Sequence, residues 1–333
     1  MGGDHAPGEI VKGALLALAE YSDVTILLVG REEVLREQLG SETHSRLQVV
    51  DAREVVDMTD NALAPLRRKR DSSVRVCANL VGEGKAEAMV SAGHTGAAMM
   101  SAYRVLGTIE GVSRPALAAV LPSAKGHTVL LDVGANVDSK AAYLREFAVM
   151  GHFYAQMIFD IEAPRVGLLS IGEEEGKGNE LTKETFRVLK ETGLNFMGNA
   201  EGRDVFNGNA DVVVCDGFIG NVVLKASEAL GEMVGNMLKT EVTRTATRKM
   251  GALILKGAFA DIRKRMDYSE YGGAPLLGVN GGCIISHGRS SAKAIKNALR
   301  VARDFATKRI DSKIRTKIND LHAREHAAGL AAE

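Results

Sequence analysis

The chain has 333 residues with 42 basic and 42 acidic side chains, 36 glycines, three cysteines, no tryptophan and 45% apolar residues. This is ordinary for a globular enzyme of one or two domains, and the zero net charge gives nucleic-acid binding no support. No stretch approaches the roughly 20 apolar residues of a spanning helix, no secretory leader is visible, and the scattered Cys77, Cys215 and Cys283 lack metal-ligand spacing and fit a reducing cytosol.

The chain opens on MGGDHAP, the composition of a tight turn, with only Met1 before it. A helix is predicted over 9–20, where Ile10, Ala14 and Leu18 share a face. Strands are predicted over 24–30 and 46–52. RRKR at 67–70 is a charge run in a loop, read as a solvated face. Further strands are predicted over 87–93, 116–122 and 128–134. A helix over 140–158 carries Leu144, Phe147 and Met150 at helical spacing. Strands over 165–172, 194–199 and 211–217 follow, and the region from 290 onward reads as two helices rich in Ala, Lys and Arg. Several strands are apolar on both faces, as in a sheet covered by helices on both sides. The alternation argues for an α/β architecture with a largely parallel sheet.

Glycine-rich turns follow these strands. SAGHTGA precedes a helix from Ala97, DVGANVD follows the strand at 128, and SIGEEEGKGNE leads to a helix from Leu181. CDGFIGN leads to a helix through Val223 and Ala226, and GVNGGCIISHGRSSAKA ends at another helix start. In an open α/β sheet such turns collect on one edge, at the carboxyl ends of the strands. Close backbone approach and helix-start amides point to an anion. Thr95, Asn136, Asn179, Asn221, Ser286 and Ser290 supply neutral hydrogen bonds, and Lys177, Lys225 and Arg289 supply charge. None of the turns is a Walker loop or a dinucleotide fingerprint.

Other candidates carry two readings. His94 and His287 are each an acid, base or oxyanion donor, or a structural histidine. Cys215 is an acylated nucleophile or, preferred, a buried core cysteine. EEEG at 173–176 is a metal site or, preferred, a solvated or Lys-paired loop. In 251–266 Leu255, Phe259, Ile262 and Met266 share a helical face, with Lys256, Arg263, Lys264 and Arg265 beside it and Arg244, Arg248 and Lys249 before it. That suits a helix lying on an anionic membrane, or a core or dimer helix with a basic side.

MGGDHAP, SAGHTGA, LDVGANVD, IGEEEGKGNELTKE, EGRDVFNG, VVVCDGFIGNVVLK, YSEYGGAPLLGVNGGCIISHG and SSAKAIKNA together resemble the bacterial acyl-acyl-carrier-protein:phosphate acyltransferases (the PlsX family). The likeness runs from Gly2 to about residue 305 and leaves the tail beyond 309 uninformative. It implies a three-layer α/β/α sandwich with a mixed, largely parallel sheet. That fold is similar to phosphotransacetylases and isocitrate/isopropylmalate dehydrogenases. The resemblance implies a single domain, 1–333, of two intertwined lobes, with 251–266 as the membrane or dimer helix and 309–333 as a helical tail. His94 stands where many members have Asn. In the family the opening turn follows a short strand ending in Asp-Ala-Met. Met1 matches that internal Met, so the first strand is expected to be missing here through a late start.

The resemblance implies transfer of a fatty acyl group from acyl carrier protein to inorganic phosphate, feeding phospholipid synthesis, without cofactor or metal. Phosphate is already a nucleophile, and a thiol with pKa near ~8.5 leaves without much proton help. The work is positioning and oxyanion stabilisation. Phosphate is assigned to Gly93, His94, Thr95 and Gly96 and to Ser286, Gly288 and Ser290, the Ser-His-Gly stretch being similar to a Ser-Arg-Gly phosphate site in phosphotransacetylases. Lys177 and Asn179 close over the anion. Asn136, Asn221 and Lys225 orient the thioester or its oxyanion, and His287 ranks first as oxyanion donor. Asp4, His5 and Asp216 line the cleft. Expected partners are the acidic carrier protein, a second copy in a homodimer, an anionic membrane at the cytoplasmic face and the downstream membrane acyltransferase, with no nucleic acid. Rival readings are a short-chain phosphotransacylase using acyl-coenzyme A and a non-catalytic carrier-protein or lipid-surface binding protein. A nicotinamide-dependent dehydrogenase of similar fold lacks a fingerprint.

Overall fold

The computed structural model describes residues 1–266 and 270–330. Helix α1 (Gly8–Glu20) leads into β1 (Ile26–Gly30), α2 (Glu32–Leu39) and β2 (Leu47–Asp51). The short α3 (Ala64–Arg67) and α4 (Ser73–Gly82) precede β3 (Ala88–Ser91) and α5 (Thr95–Leu106). The hairpin β4 (Ala116–Ser123) and β5 (Gly126–Leu131) is followed by α6 (Ala141–Phe159), β6 (Val166–Leu169), α7 (Glu180–Lys190) and β7 (Phe196–Ala200). Then come α8 (Asp204–Asn207), β8 (Val212–Val214), the 27-residue α9 (Gly217–Thr243), α10 (Ala246–Ile254) and α11 (Lys256–Met266). The chain closes with β9 (Ala274–Leu277), β10 (Gly282–Ile285), α12 (Ala292–Thr307) and α13 (Ile310–Leu330).

Strands β1 and β2 pair in parallel as a separate two-stranded sheet beside α1 and α2. The main sheet has eight strands in the order β3-β10-β9-β4-β5-β8-β6-β7. Side chains alternate across it, as a pleated strand requires. Val129, Leu131, Val212 and Val214 enter the core under α6, whereas Leu130 and Val213 enter the core on the other face with residues of α4, α5 and α9. Helices therefore cover both faces.

The β9 strand corrects one expectation. It runs antiparallel to both β10 and β4, and β4 runs antiparallel to β5. The carboxyl ends of β3 and β10 thus lie on one edge of the sheet, and those of β5, β8 and β6 on the opposite edge. The glycine turns do not share a single edge.

Two segments also depart from their sequence reading. Residues 251–266 form no single helix: α10 ends at Ile254, Leu255 is a turn, and α11 begins at Lys256. The side chains of Arg263, Lys264, Arg265 and Met266 lie outside the described residues. The tail forms α13 and is part of the core, since Ile310, Ile314 and Ile318 are fully buried against α6.

Candidate active site

Three turns meet beyond β3 and β10. Asp4 N–H donates to the Gly288 carbonyl at 2.9 Å, and Ser286 N–H donates to the Ser91 carbonyl at 2.8 Å. The approach is so close that a Cβ on Gly3 would sit 2.2 Å from the Ala92 carbonyl oxygen and 2.9 Å from that of Gly288. Helix α5 starts here at Thr95, so its first-turn amides and the positive end of its dipole face the junction. Ser286 is only 5% exposed and its hydroxyl has no hydrogen-bond partner among the described residues. A buried hydroxyl in that state is costly unless a ligand or water satisfies it.

A second group forms on the opposite edge, around the fully buried Asp132. Its Oδ1 accepts from the N–H groups of Leu117, Gly134 and Ala135, and its Oδ2 from the backbone and side-chain amides of Asn136. Burial pushes its carboxyl above the ordinary range, against the pull of these donors. The turn so shaped receives the start of α9. Gly217 N–H donates to the Asn136 carbonyl, Asn221 Nδ2 donates to the Val133 carbonyl at 3.0 Å, and a Cβ on Gly220 would strike the Asp132 carbonyl oxygen. Helix α9 then crosses the sheet face, with Val223 and Leu224 packed on the core. Seven residues beyond Asn221, about 10 Å along the axis, Glu228 Oε1 meets His287 Nε2 at 3.0 Å. This pair joins the two groups. Lys225 and Arg289 add their charges at the same place.

A family model described as a fatty acid synthesis protein matches residues 1–313. A phosphate acyltransferase from Pelotomaculum thermopropionicum is 52% identical over 334 residues, covering 100% of this chain and 97% of the relative. One from Trichlorobacter lovleyi is 51% identical over 322 residues, covering 96% and 93%. The chain belongs to the phosphate acyltransferase family. The solved phosphotransacetylase from Streptococcus pyogenes superposes with a TM-score of 0.62 at 18% identity, over 91% of this chain and 92% of that one. That likeness shows that this phosphate acyltransferase family member has the phosphotransacetylase fold.

Several residues given ligand roles by their sequence position are committed to the backbone instead. His94 caps α5, accepting from Ala97 N–H through Nδ1, and its Nε2 meets the Asp60 carbonyl at 2.9 Å. Asn179 caps α7 through Thr182 N–H and Asp216 caps α9 through the Phe218 and Ile219 amides. Asn136 donates both side-chain hydrogens inward, to Pro115 and Asp132, so it has no amide left for an oxyanion. These are the acceptors and turn formers that any helix start or tight turn recruits. Asn221 keeps one amide hydrogen beyond its bond to Val133.

Gly93, Ser286, His287, Gly288 and Ser290 are brought to the junction, with Asp4 beside Gly288 and His5 exposed on the same turn, while Thr95 and Gly96 open α5, where Gly96 lies against Ala62 and His94. Lys177 and Asn179 stay on the exposed loop after β6. In that loop Glu173 pairs with Arg203 and Glu175 with Lys190, which agrees with the solvated reading. No cluster able to hold a metal ion occurs among the described residues. Cys215 is a core cysteine: burial pushes its thiol well above the ordinary value, and its Sγ lies 3.5 Å from the Asp132 carbonyl. Glu228 escaped the sequence reading because it sits mid-helix, 59 residues from its partner. A cavity of about 810 Å³ between α6 and α12, lined by Tyr154, Phe159, Tyr271, Arg300 and Asp304 among others, contains none of the predicted site residues.

Proposed function

We propose that the chain transfers a fatty acyl group from acyl carrier protein thioester to inorganic phosphate. The observation that carries the reading is the junction of the three turns around the orphaned Ser286 hydroxyl, with His287, Arg289 and Lys225 gathered beside it. It supplies amide, hydroxyl and cationic donors suited to a tetrahedral oxyanion such as phosphate.

A phosphate oxygen attacks the thioester carbonyl carbon. The C–O bond forms as the carbonyl becomes an oxyanion, and collapse expels the carrier thiolate and leaves acyl phosphate. The oxyanion forms beside His287 at the junction, whereas Asn221, about 10 Å away along α9 on the opposite edge, does not reach it. The exposed basic residues Lys225 and Arg289 provide a dock for an acidic carrier. Purified protein given long-chain acyl carrier protein and phosphate should form acyl phosphate, and acyl-coenzyme A should serve poorly. Ser286→Ala and Lys225→Ala should each raise the KM for phosphate about ten-fold, in line with ~1.4 kcal/mol per lost charged or buried hydrogen bond. An unchanged KM in both would remove the phosphate seat from this junction.

The same proposal covers assembly and location. Leu230, Met233, Val234, Met237 and Leu238 form an exposed apolar stripe on α9 at helical spacing, which supports pairing with a second copy. On α10 and the turn after it, Leu253, Ile254 and Leu255 are exposed beside Arg248, Lys249 and Lys256, which supports peripheral contact with an anionic membrane from the cytoplasm. Among the described residues no helix is long and apolar enough to cross a bilayer. The Met233→Glu/Met237→Glu variant should sediment as a monomer, and Leu253→Glu/Ile254→Glu should lose flotation with phosphatidylglycerol vesicles while remaining dimeric. Unaltered sedimentation in the first and unaltered flotation in the second would count against the two surfaces.

A further inference from the structure

The Glu228–His287 pair belongs to none of the glycine turns, yet it is the contact through which α9 reaches the turn after β10. Glu228 lies on the inner side of α9 with its side chain 18% exposed, one turn beyond Lys225. Its Oε1 takes the hydrogen bond from His287 Nε2 at 3.0 Å. Burial alone would raise its carboxyl; the His287 bond and the charges of His287, Lys225 and Arg289 outweigh that and hold it ionised below its ordinary range. The charged groups described around it therefore come from both its own helix and the facing turn.

A carboxylate in the middle of an anion seat is at first sight misplaced, because it repels phosphate. It also does two things that nothing else described at the junction does. It accepts the hydrogen that His287 carries on Nε2, and it sets how the ring is turned. We propose that Glu228 is a positioning residue for acyl transfer: through Nε2 it holds the His287 ring in one orientation beside the seat for phosphate. This rests on the reading of the site as a phosphate acyltransferase centre.

The two effects of the carboxylate oppose each other, and that gives the test its signature. Glu228→Gln keeps the shape but removes the charge. It should lower kcat by at least about ten-fold, as loss of positioning at the reacting centre does, while phosphate affinity, read by calorimetry on the protein without acyl donor, stays the same or tightens. In a His287→Ala background the further change Glu228→Gln should alter kcat by less than about two-fold, because a residue acting through another is not additive with it. A kcat within two-fold of the parent overturns the inference. So does a fall in kcat accompanied by weakened phosphate binding and a lowered urea midpoint, which is what a merely structural role produces. A loss that remains fully multiplicative on His287→Ala overturns it as well. Absence of acyl phosphate from the unsubstituted chain overturns the parent reading and takes this inference with it, whereas a fully active Glu228→Gln overturns the inference alone.

Discussion

Gly3→Ala loses on the order of 100-fold in kcat/KM for acyl phosphate formation, while its urea midpoint stays close to that of the parent chain. The added methyl would lie 2.2 Å from the Ala92 carbonyl oxygen and 2.9 Å from that of Gly288, distances at which backbone must move. What moves is the opening turn, which precedes α1 and donates to the junction through the Asp4-to-Gly288 hydrogen bond. The core clusters on the two sheet faces contain no residue of this turn, so global stability is largely spared. Catalysis by positioning has no such tolerance: a displacement of about 1 Å is enough for a hundred-fold loss. Steady-state kinetics beside urea denaturation separates the two. Activity within three-fold of the parent would mean that the junction of turns is not where phosphate sits.

Asp132→Ala has the opposite profile, with stability falling by on the order of 3–5 kcal/mol. Five hydrogen bonds end on this carboxylate, from Leu117, Gly134, Ala135 and twice from Asn136, and the group is fully buried. Truncation leaves those donors unpaired where water enters poorly. Asp132→Asn keeps one acceptor and should recover part of the loss. Activity falls with stability, since the turn that Asp132 shapes seats Gly217 and Asn221 and so aims α9, which carries Lys225 and Glu228. A loss below about 1 kcal/mol in urea denaturation would show that the network is dispensable.

The elements themselves were largely legible. Each of the eight predicted strands overlaps an observed one, and the predicted helix starts near Ala97 and Leu181 fall within two residues of Thr95 and Glu180. β9 and β10 escaped because four-residue strands set among Gly272, Gly273, Gly278, Gly281 and Gly282 look like loop. That omission had a large consequence. Without β9 the alternation reads as a sheet with a single carboxyl edge; with it, strand direction reverses and the turns divide between two edges. The helix-start residues His94, Asn179 and Asp216 were over-read for a local reason, since a polar side chain just before a helix serves the nearest amides before it serves a ligand.

By itself, then, the amino-acid order determined the α/β alternation, the glycine turns, the likeness to phosphate acyltransferases and the presence of Ser286 and His287 in one such turn. Those features are written in short-range periodicity and in motifs a few residues long. Only the tertiary structure decided which turns meet, which polar groups are spent on capping, and that Glu228 faces His287 across 59 residues. Strand direction and helix crossing are set by pairing between distant segments, and no local pattern encodes them.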